Sequence, residues 1–358
     1  MIYCDNAATS FPKPAVVTAA LVKHLATEAV NPGRSGFDLQ RVVFTGNATA
    51  ALNIALQGVL RPGDHVVGTV LEHNSVLRPL QHLQQQRGIT FHLAPCDKQG
   101  YVAPEAIARR INERTRLVVM THASNVLGTV QDVAAVGEIC RQRGLLLLVD
   151  AAQTAGVIPV DMAAIGAHLL AFTGHKGLMG PTGTGGLLVA PEVDVRPSFW
   201  GGTGVRSAQR THPEEYPYRL EAGTLGALPL AGLRAGLRWV REQPVEETEA
   251  RLARHFLAGL RELPHVRVLS LEPGQTAWDA RRRVPVFSLL IAGMAPDKAG
   301  MFLDAEWDIA VRTGLQCAPL AHQAMGTGQG GTVRVSFGPL NTTAEIDTLL
   351  KALTSFSK

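Results

Sequence analysis

An α/β fold, built on a mostly parallel sheet of seven strands and followed by a smaller α+β unit, is what this sequence predicts. Three observations carry that expectation. Short apolar, β-rich runs alternate with helical patterns through the middle of the chain. Most of those runs lack the in–out alternation of a half-exposed strand, as expected where both faces of a sheet are covered. After Pro191 the rhythm changes to a stretch rich in Gly, Pro and aromatic residues, and then to longer helical patterns.

The strands are expected over residues 41–45, 65–69, 89–93, 117–121, 145–149, 169–173 and 186–190. Between them, residues 48–57 form an Ala/Leu-rich helix and residues 76–86 form another after a turn. Pro104 opens a helix at its favoured first position. The helix over 133–143 ends at Gly144, the residue type that closes helices. Residues 197–218 have no period and read as a long ordered loop, a length that goes with function. A helical pattern over 228–239 continues through 246–263. Strands at 266–270, 284–291 and 333–337, with a helix at 296–305, complete the α+β unit. The expected division is a large domain over 15–227 and a small one made of 1–14 with 228–358.

The 358 residues are 46% hydrophobic and 18% charged, which excludes a disordered chain. The net charge of +4 is small for this size, and the one tight basic run, Arg281-Arg282-Arg283, has Asp279 beside it. It reads as a solvated face, so no nucleic-acid partner is expected. No apolar stretch reaches the roughly 18 residues that span a bilayer, so no membrane is expected. The first residues, Met1-Ile-Tyr-Cys-Asp-Asn6, show neither a basic nor an apolar leader region. Cys4, Cys96, Cys140 and Cys317 are scattered without metal-type spacing. Free thiols in a reducing cytoplasm, and no metal, are the expectation.

The chemistry gathers at strand ends. Lys176 sits just past an expected strand, in Thr173-Gly-His-Lys-Gly177. A lone loop lysine is ordinarily a surface residue, but three features argue otherwise. Carboxyl ends of strands are where α/β sheets bind ligands. Asp150 closes another apolar strand, where an acid needs a cationic partner. Thr45-Gly-Asn-Ala-Thr49 is a strand–turn–helix junction whose free N–H groups make an anion site. A lysine for a Schiff base, an acid for a pyridinium nitrogen and a helix N-terminus for a phosphate are what pyridoxal phosphate requires.

Nine motifs then match a known family in order along essentially the whole chain. They are Asp5-Asn-Ala-Ala-Thr9, Asn31-Pro-Gly-Arg-Ser-Gly36, Glu72-His73, Ser124-Asn-Val-Leu-Gly-Thr129, Asp150-Ala-Ala-Gln153, Gly174-His-Lys176, Glu221-Ala-Gly-Thr224, Arg312-Thr-Gly-Leu-Gln-Cys317 and Arg334-Val-Ser336. The sequence resembles the class V aminotransferases, and within them the SufS-like cysteine desulfurase and selenocysteine lyase group. That resemblance implies fold type I of the pyridoxal-phosphate enzymes. It makes Lys176 the Schiff-base lysine that moves protons at the substrate Cα, and Asp150 the partner of the ring nitrogen. It gives Gln153 the phenolic oxygen and stacks His73 on the ring. Asn125 would sit by the ring oxygen and the substrate carboxylate. Ala48, Thr49, Thr173 and His175 would hold the phosphate, with Thr224 reaching it from the partner subunit of a homodimer. Arg334 would clamp the substrate carboxylate, Arg312 would help at the mouth of the site, and Cys317 would carry the persulfide.

The implied reaction converts L-cysteine to L-alanine and passes sulfur from Cys317 to an acceptor, which can be a protein, within sulfur metabolism and iron–sulfur cluster assembly. The alternatives are a selenocysteine lyase, another class V aminotransferase or epimerase, or a non-catalytic sulfur-carrier scaffold. The glycines of residues 180–186 do not open a helix as a dinucleotide loop would, and read as the turn from the lysine loop into the next strand. One departure stands out. Relatives carry a helical segment of about two dozen residues between the Asn31–Gly36 motif and the next strand, long enough for a helix and its turn. Here Gly36 to Arg41 joins them almost directly. We expect a stretch left out of a continuously numbered chain rather than a loss, and a mobile lid around Arg34.

Overall fold

A computed structural model describes residues 1–27, 41–272, 275 and 277–357. The chain opens with β1 (Ile2–Tyr3) and α1 (Ala15–Thr27). Alternation then begins with β2 (Val42–Thr45), α2 (Ala48–Val59), β3 (His65–Thr69), α3 (Asn74–Arg87) and β4 (Thr90–Ala94). It continues with the short α4 (Pro104–Ala108), β5 (Thr115–Thr121), α5 (Val133–Gln142) and β6 (Leu146–Asp150). The single-turn α6 (Met162–Ile165), β7 (Leu169–Thr173) and β8 (Gly185–Val189) close this part. All seven expected strands are present, shifted by a residue or two at their ends.

They form one sheet in the order β2-β8-β7-β6-β5-β3-β4. β4, β3, β5, β6 and β7 run parallel, and only β8 runs against its neighbours β7 and β2. Burial explains why the strands read as unbroken apolar runs. Along β5, Leu117 and Val119 join the core shared with α2 and α3, while Val118 and Met120 join the core shared with α4 and α5. Each fully buried side chain of this kind stabilises the fold by about 1.5–3 kcal/mol over leaving it in water.

Helix starts are set by local chemistry. Asn47 caps α2 by accepting from Ala50 N–H at 3.0 Å, and Asp132 caps α5 through Ala135 N–H at 3.0 Å. The helical pattern expected to run on past 239 is instead two helices, α7 (Ala227–Glu242) and α8 (Val245–Leu260). Pro244 lies between them; it has no N–H to donate, and its ring clashes with the preceding turn.

The rest is β9 (Val266–Val268), β10 (Val286–Ile291), α9 (Pro296–Trp307), β11 (Ile309–Ala310), β12 (Arg312–Gly314), α10 (Pro319–Ala324), β13 (Thr332–Ser336) and α11 (Thr343–Thr354). An antiparallel sheet, β12-β13-β10-β9, packs on α8, α9 and α11 around Phe256, Phe287 and Phe337. The N-terminal β1 pairs with β11, so the start of the chain is stitched to the α+β unit. Residues 197–218 are irregular as expected.

Residues 28–40, with the expectation of a lid around Arg34, lie outside the described residues. Among the described residues no helix is long and apolar enough to cross a membrane.

Candidate active site

The parallel strands deliver their carboxyl ends to one edge of the sheet, and a cleft of about 240 Å³ opens there. Of the thirteen site residues expected from the sequence, twelve line it: Ala48, Thr49, His73, Asn125, Asp150, Gln153, Thr173, His175, Lys176, Arg312, Cys317 and Arg334. They come from positions up to 286 residues apart and meet because the topology brings their strand ends together. Thr224 is the exception. It is exposed in the loop before α7 and does not line the cleft of its own chain.

Lys176 follows β7 and is half-buried; desolvation pulls its amine down to about 8, and Asp150 opposes part of that shift. The turn that carries it is anchored from the N-terminal segment. The His175 carbonyl accepts from Ser10 N–H at 2.9 Å and from Lys13 Nζ at 2.9 Å, and the Lys176 carbonyl accepts from Ser10 Oγ at 3.0 Å. The glycines that follow form the expected turn into β8. A Cβ on Gly185 would stand 2.6 Å from the backbone of Asn47, so a side chain there would push the start of α2 off the sheet.

Asp150 ends β6 with its carboxyl 5% exposed. Burial raises its pKa, while the Ala152 N–H at 3.0 Å and the nearby Lys176 lower it. Among the described residues the cation that acts on Asp150 is Lys176, without a direct ion pair between them. His73 caps α3, its Nδ1 accepting from Ser75 N–H at 3.0 Å. That acceptor role places the proton on Nε2. Burial, then Lys176, Arg334 and Arg78, push its pKa down to about 4, so the ring is neutral near pH 7. Ser75 Oγ also pairs with Thr49 Oγ1 at 2.7 Å, tying the starts of α2 and α3 together.

These groups fit pyridoxal phosphate. The cofactor offers an aldehyde to the Lys176 amine, a ring nitrogen cation to Asp150, and a phosphate to the first N–H groups of α2, which have no partners within the helix. Gln153 and Asn125 line the same cleft with one amide hydrogen each already committed, Gln153 to Ala7 O at 3.1 Å and Asn125 to Gln316 O at 2.6 Å. His175 Nδ1 is buried without a hydrogen-bond partner among the described residues, an open position for a phosphate oxygen or a water.

Cys317 lies exposed on the loop between β12 and α10. Cys4 and Cys140 are buried and pushed up to about 12, and burial also raises Cys96. Those three stay thiols at neutral pH, and Cys317 is the thiol that borders the cleft. Its loop is unusual: Gln316 and Cys317 both have left-handed backbones, φ 41° and 59°. Such a pair persists only where the surroundings hold it. Gln316 is buried, its Oε1 accepting from His322 Nε2 at 2.7 Å and its Nε2 donating to Thr332 O at 3.2 Å. The Cys317 carbonyl accepts from Asn74 N–H at 2.8 Å. Gln316 and Ser75 were not among the residues expected from the sequence. Adjacency to Cys317 was the available signal for Gln316, and the His73-x-Ser75 spacing at a helix start was the signal for Ser75.

The profile of the aminotransferase class-V family matches residues 36–349. This chain belongs to that family. Among its relatives, a probable cysteine desulfurase of Methanothermobacter thermautotrophicus is 34% identical, covering 98% of this chain and 94% of the relative. That alignment runs over 381 positions against the 358 residues here, so the relative carries at least 23 residues without a counterpart in this chain. The family member whose apo structure is the cysteine desulfurase of Thermococcus onnurineus NA1 superposes with a TM-score of 0.89 at 30% identity, over 99% of this chain and 94% of that one. The cysteine desulfurase CsdA of Escherichia coli gives 0.87 at 27%, with the same coverage. The class V family fold is therefore the fold of this chain, with a seven-stranded central sheet.

Proposed function

We propose that this chain is a pyridoxal-phosphate-dependent cysteine desulfurase that converts L-cysteine to L-alanine and receives the sulfur on Cys317. The observation that carries the reading is one exposed thiol bordering the same cleft as a half-buried lysine with a lowered pKa and a buried acid. Names of relatives across nearly the full chain support it.

When bound, the cofactor supplies an electron-withdrawing ring conjugated to the substrate amine. The residues of the chain do the rest. Asp150 keeps the ring nitrogen protonated. Arg334 and Asn125 hold the substrate carboxylate. Lys176 Nζ takes the proton from Cα and returns protons to carbon. The Cys317 thiolate attacks the substrate Sγ; the Cβ–Sγ bond breaks with its electron pair left on carbon, and the new S–S bond is the persulfide. His73, neutral and fixed by Ser75, is placed to pass a proton at the ring face.

The same reading takes residues 15–227 as the cofactor-binding domain, with 1–14 and 228–358 as the small one. It makes the active form a homodimer in the cytoplasm, with Thr224 crossing to the partner's phosphate and a protein able to take the sulfur onward, as in iron–sulfur cluster assembly. Exposed Val22 and Leu25 on α1, and Phe199 and Trp200 in the long loop, support a second copy, since large apolar side chains are seldom left to water in numbers. A protein that sediments as a fully active monomer refutes that part.

Cys317→Ala tests the reaction. The variant should bind cofactor and L-cysteine as the parent does, and lose at least about 100-fold in alanine and sulfide formation, as removal of an essential nucleophile does. Parent-level production of both from L-cysteine would remove the thiol from the mechanism and favour a lyase or aminotransferase.

A further inference from the structure

Asp5 belongs to the first of the matched motifs, and none of the roles above uses it. Its Oδ1 lies 2.6 Å from Nη2 of Arg334, with the two side chains 13% and 4% exposed. The other terminal nitrogen of Arg334, Nη1, donates to the Asn125 carbonyl at 3.1 Å. Nε is buried with no hydrogen-bond partner among the described residues. The guanidinium is thus pinned at both terminal nitrogens by protein acceptors, while the arginine still borders the cleft.

The arm that presents Asp5 is itself fixed. The Tyr3 hydroxyl donates to the carbonyls of Asp5 and Thr9 at 3.1 and 2.9 Å. Ala7 N–H donates to Ser336 Oγ at 2.8 Å, two residues beyond Arg334 on β13. The N-terminal segment is therefore laced to the strand that carries the arginine, and the distance from carboxylate to guanidinium is set by backbone on both sides.

An arginine has a long, entropy-rich side chain, and bidentate recognition of a carboxylate works only when its plane is held. A buried guanidinium also needs a counter-charge when no substrate is present. Asp5 meets both needs, so the fork is in place before a ligand arrives, which lowers the ordering penalty of binding. We propose that Asp5 is a positioning residue that holds the Arg334 guanidinium for the α-carboxylate of an amino-acid substrate. This rests on the functional reading in taking the ligand to be an α-amino acid whose carboxylate Arg334 holds.

The test is calorimetric titration of the cofactor-loaded protein with L-alanine and with ethylamine, which has the same amine and no carboxylate. The ratio of the two affinities reports carboxylate recognition. Asp5→Ala should lower that ratio by about tenfold or more, the scale of a lost charge-assisted contact, and leave ethylamine within about twofold. Asp5→Glu keeps the charge that offsets the buried guanidinium, so it tests the idea even where Asp5→Ala does not fold. Its extra methylene displaces the fork, and the ratio should fall about threefold. A ratio unchanged in these variants overturns the proposal, and so does an equal loss of both ligands, which marks a purely structural ion pair. The reading of the reaction fails separately: a protein that keeps the carboxylate preference but forms no persulfide from L-cysteine refutes the desulfurase and leaves the role of Asp5 standing.

Discussion

Lys176 shows how burial prepares a residue for its chemistry. An amine must be neutral to condense with an aldehyde, and its pKa of about 8 makes a useful fraction neutral near physiological pH. Borohydride-trapped cofactor on Lys176 of the apoprotein should therefore form faster as pH rises to about 8 and level off above it. A rate that keeps climbing toward pH 10 would mean an ordinary, solvated lysine. Lys176, Asp150 and His73 were legible because each sits at a strand end beside apolar sequence or in a matched motif. The partner of Asp5 was not legible, because Arg334 lies 329 residues away and only the fold brings the two together.

At the scale of elements, the seven strands and most of the helices between them were readable from apolar runs and from Pro104 and Gly144. Four helices were not read: α1, the single-turn α6, the short α10 and α11. α11 carries a capping box, Thr342 with Glu345, which was a signal left unread. α1 gives no clear amphipathic stripe, because Val16, Val22 and Leu25 face outward as well. The element on which the proposed reaction depends most is the Cys317 loop. Its two left-handed residues are held by Gln316 through His322 and Thr332. Gln316→Ala should release the loop and slow persulfide formation about tenfold or more, the scale of a misplaced reacting group, with L-alanine affinity little changed. Persulfide formation at the parental rate in single-turnover measurements would show that the loop needs no clamp.

At the scale of the whole molecule, buried ionisable groups set how stability follows pH. Glu72 is fully buried beside Asp150, its Oε2 has no partner among the described residues, and burial pushes its pKa up to about 8. The folded state thus holds this proton more tightly than the unfolded chain, whose value is 4.5. Full stability from this group is present below pH 4.5, and it is lost as pH rises toward 8, by up to about 1.4 kcal/mol per pH unit. Glu72→Gln removes that titration. Its melting temperature relative to the parent should rise steadily between pH 5 and pH 8, and a constant difference would mean that Glu72 is ionised in the fold throughout.

The central claim is that Cys317 takes the sulfur, and one measurement addresses it directly. The protein loaded with cofactor is mixed with one equivalent of L-cysteine without reductant, quenched with an alkylating agent, and mapped by peptide mass spectrometry alongside alanine. The account predicts one extra sulfur on the Cys317 peptide, in step with alanine, and none on Cys4, Cys96 or Cys140. Alanine formed with Cys317 unmodified, or the extra sulfur found on one of the three other cysteines, would contradict it.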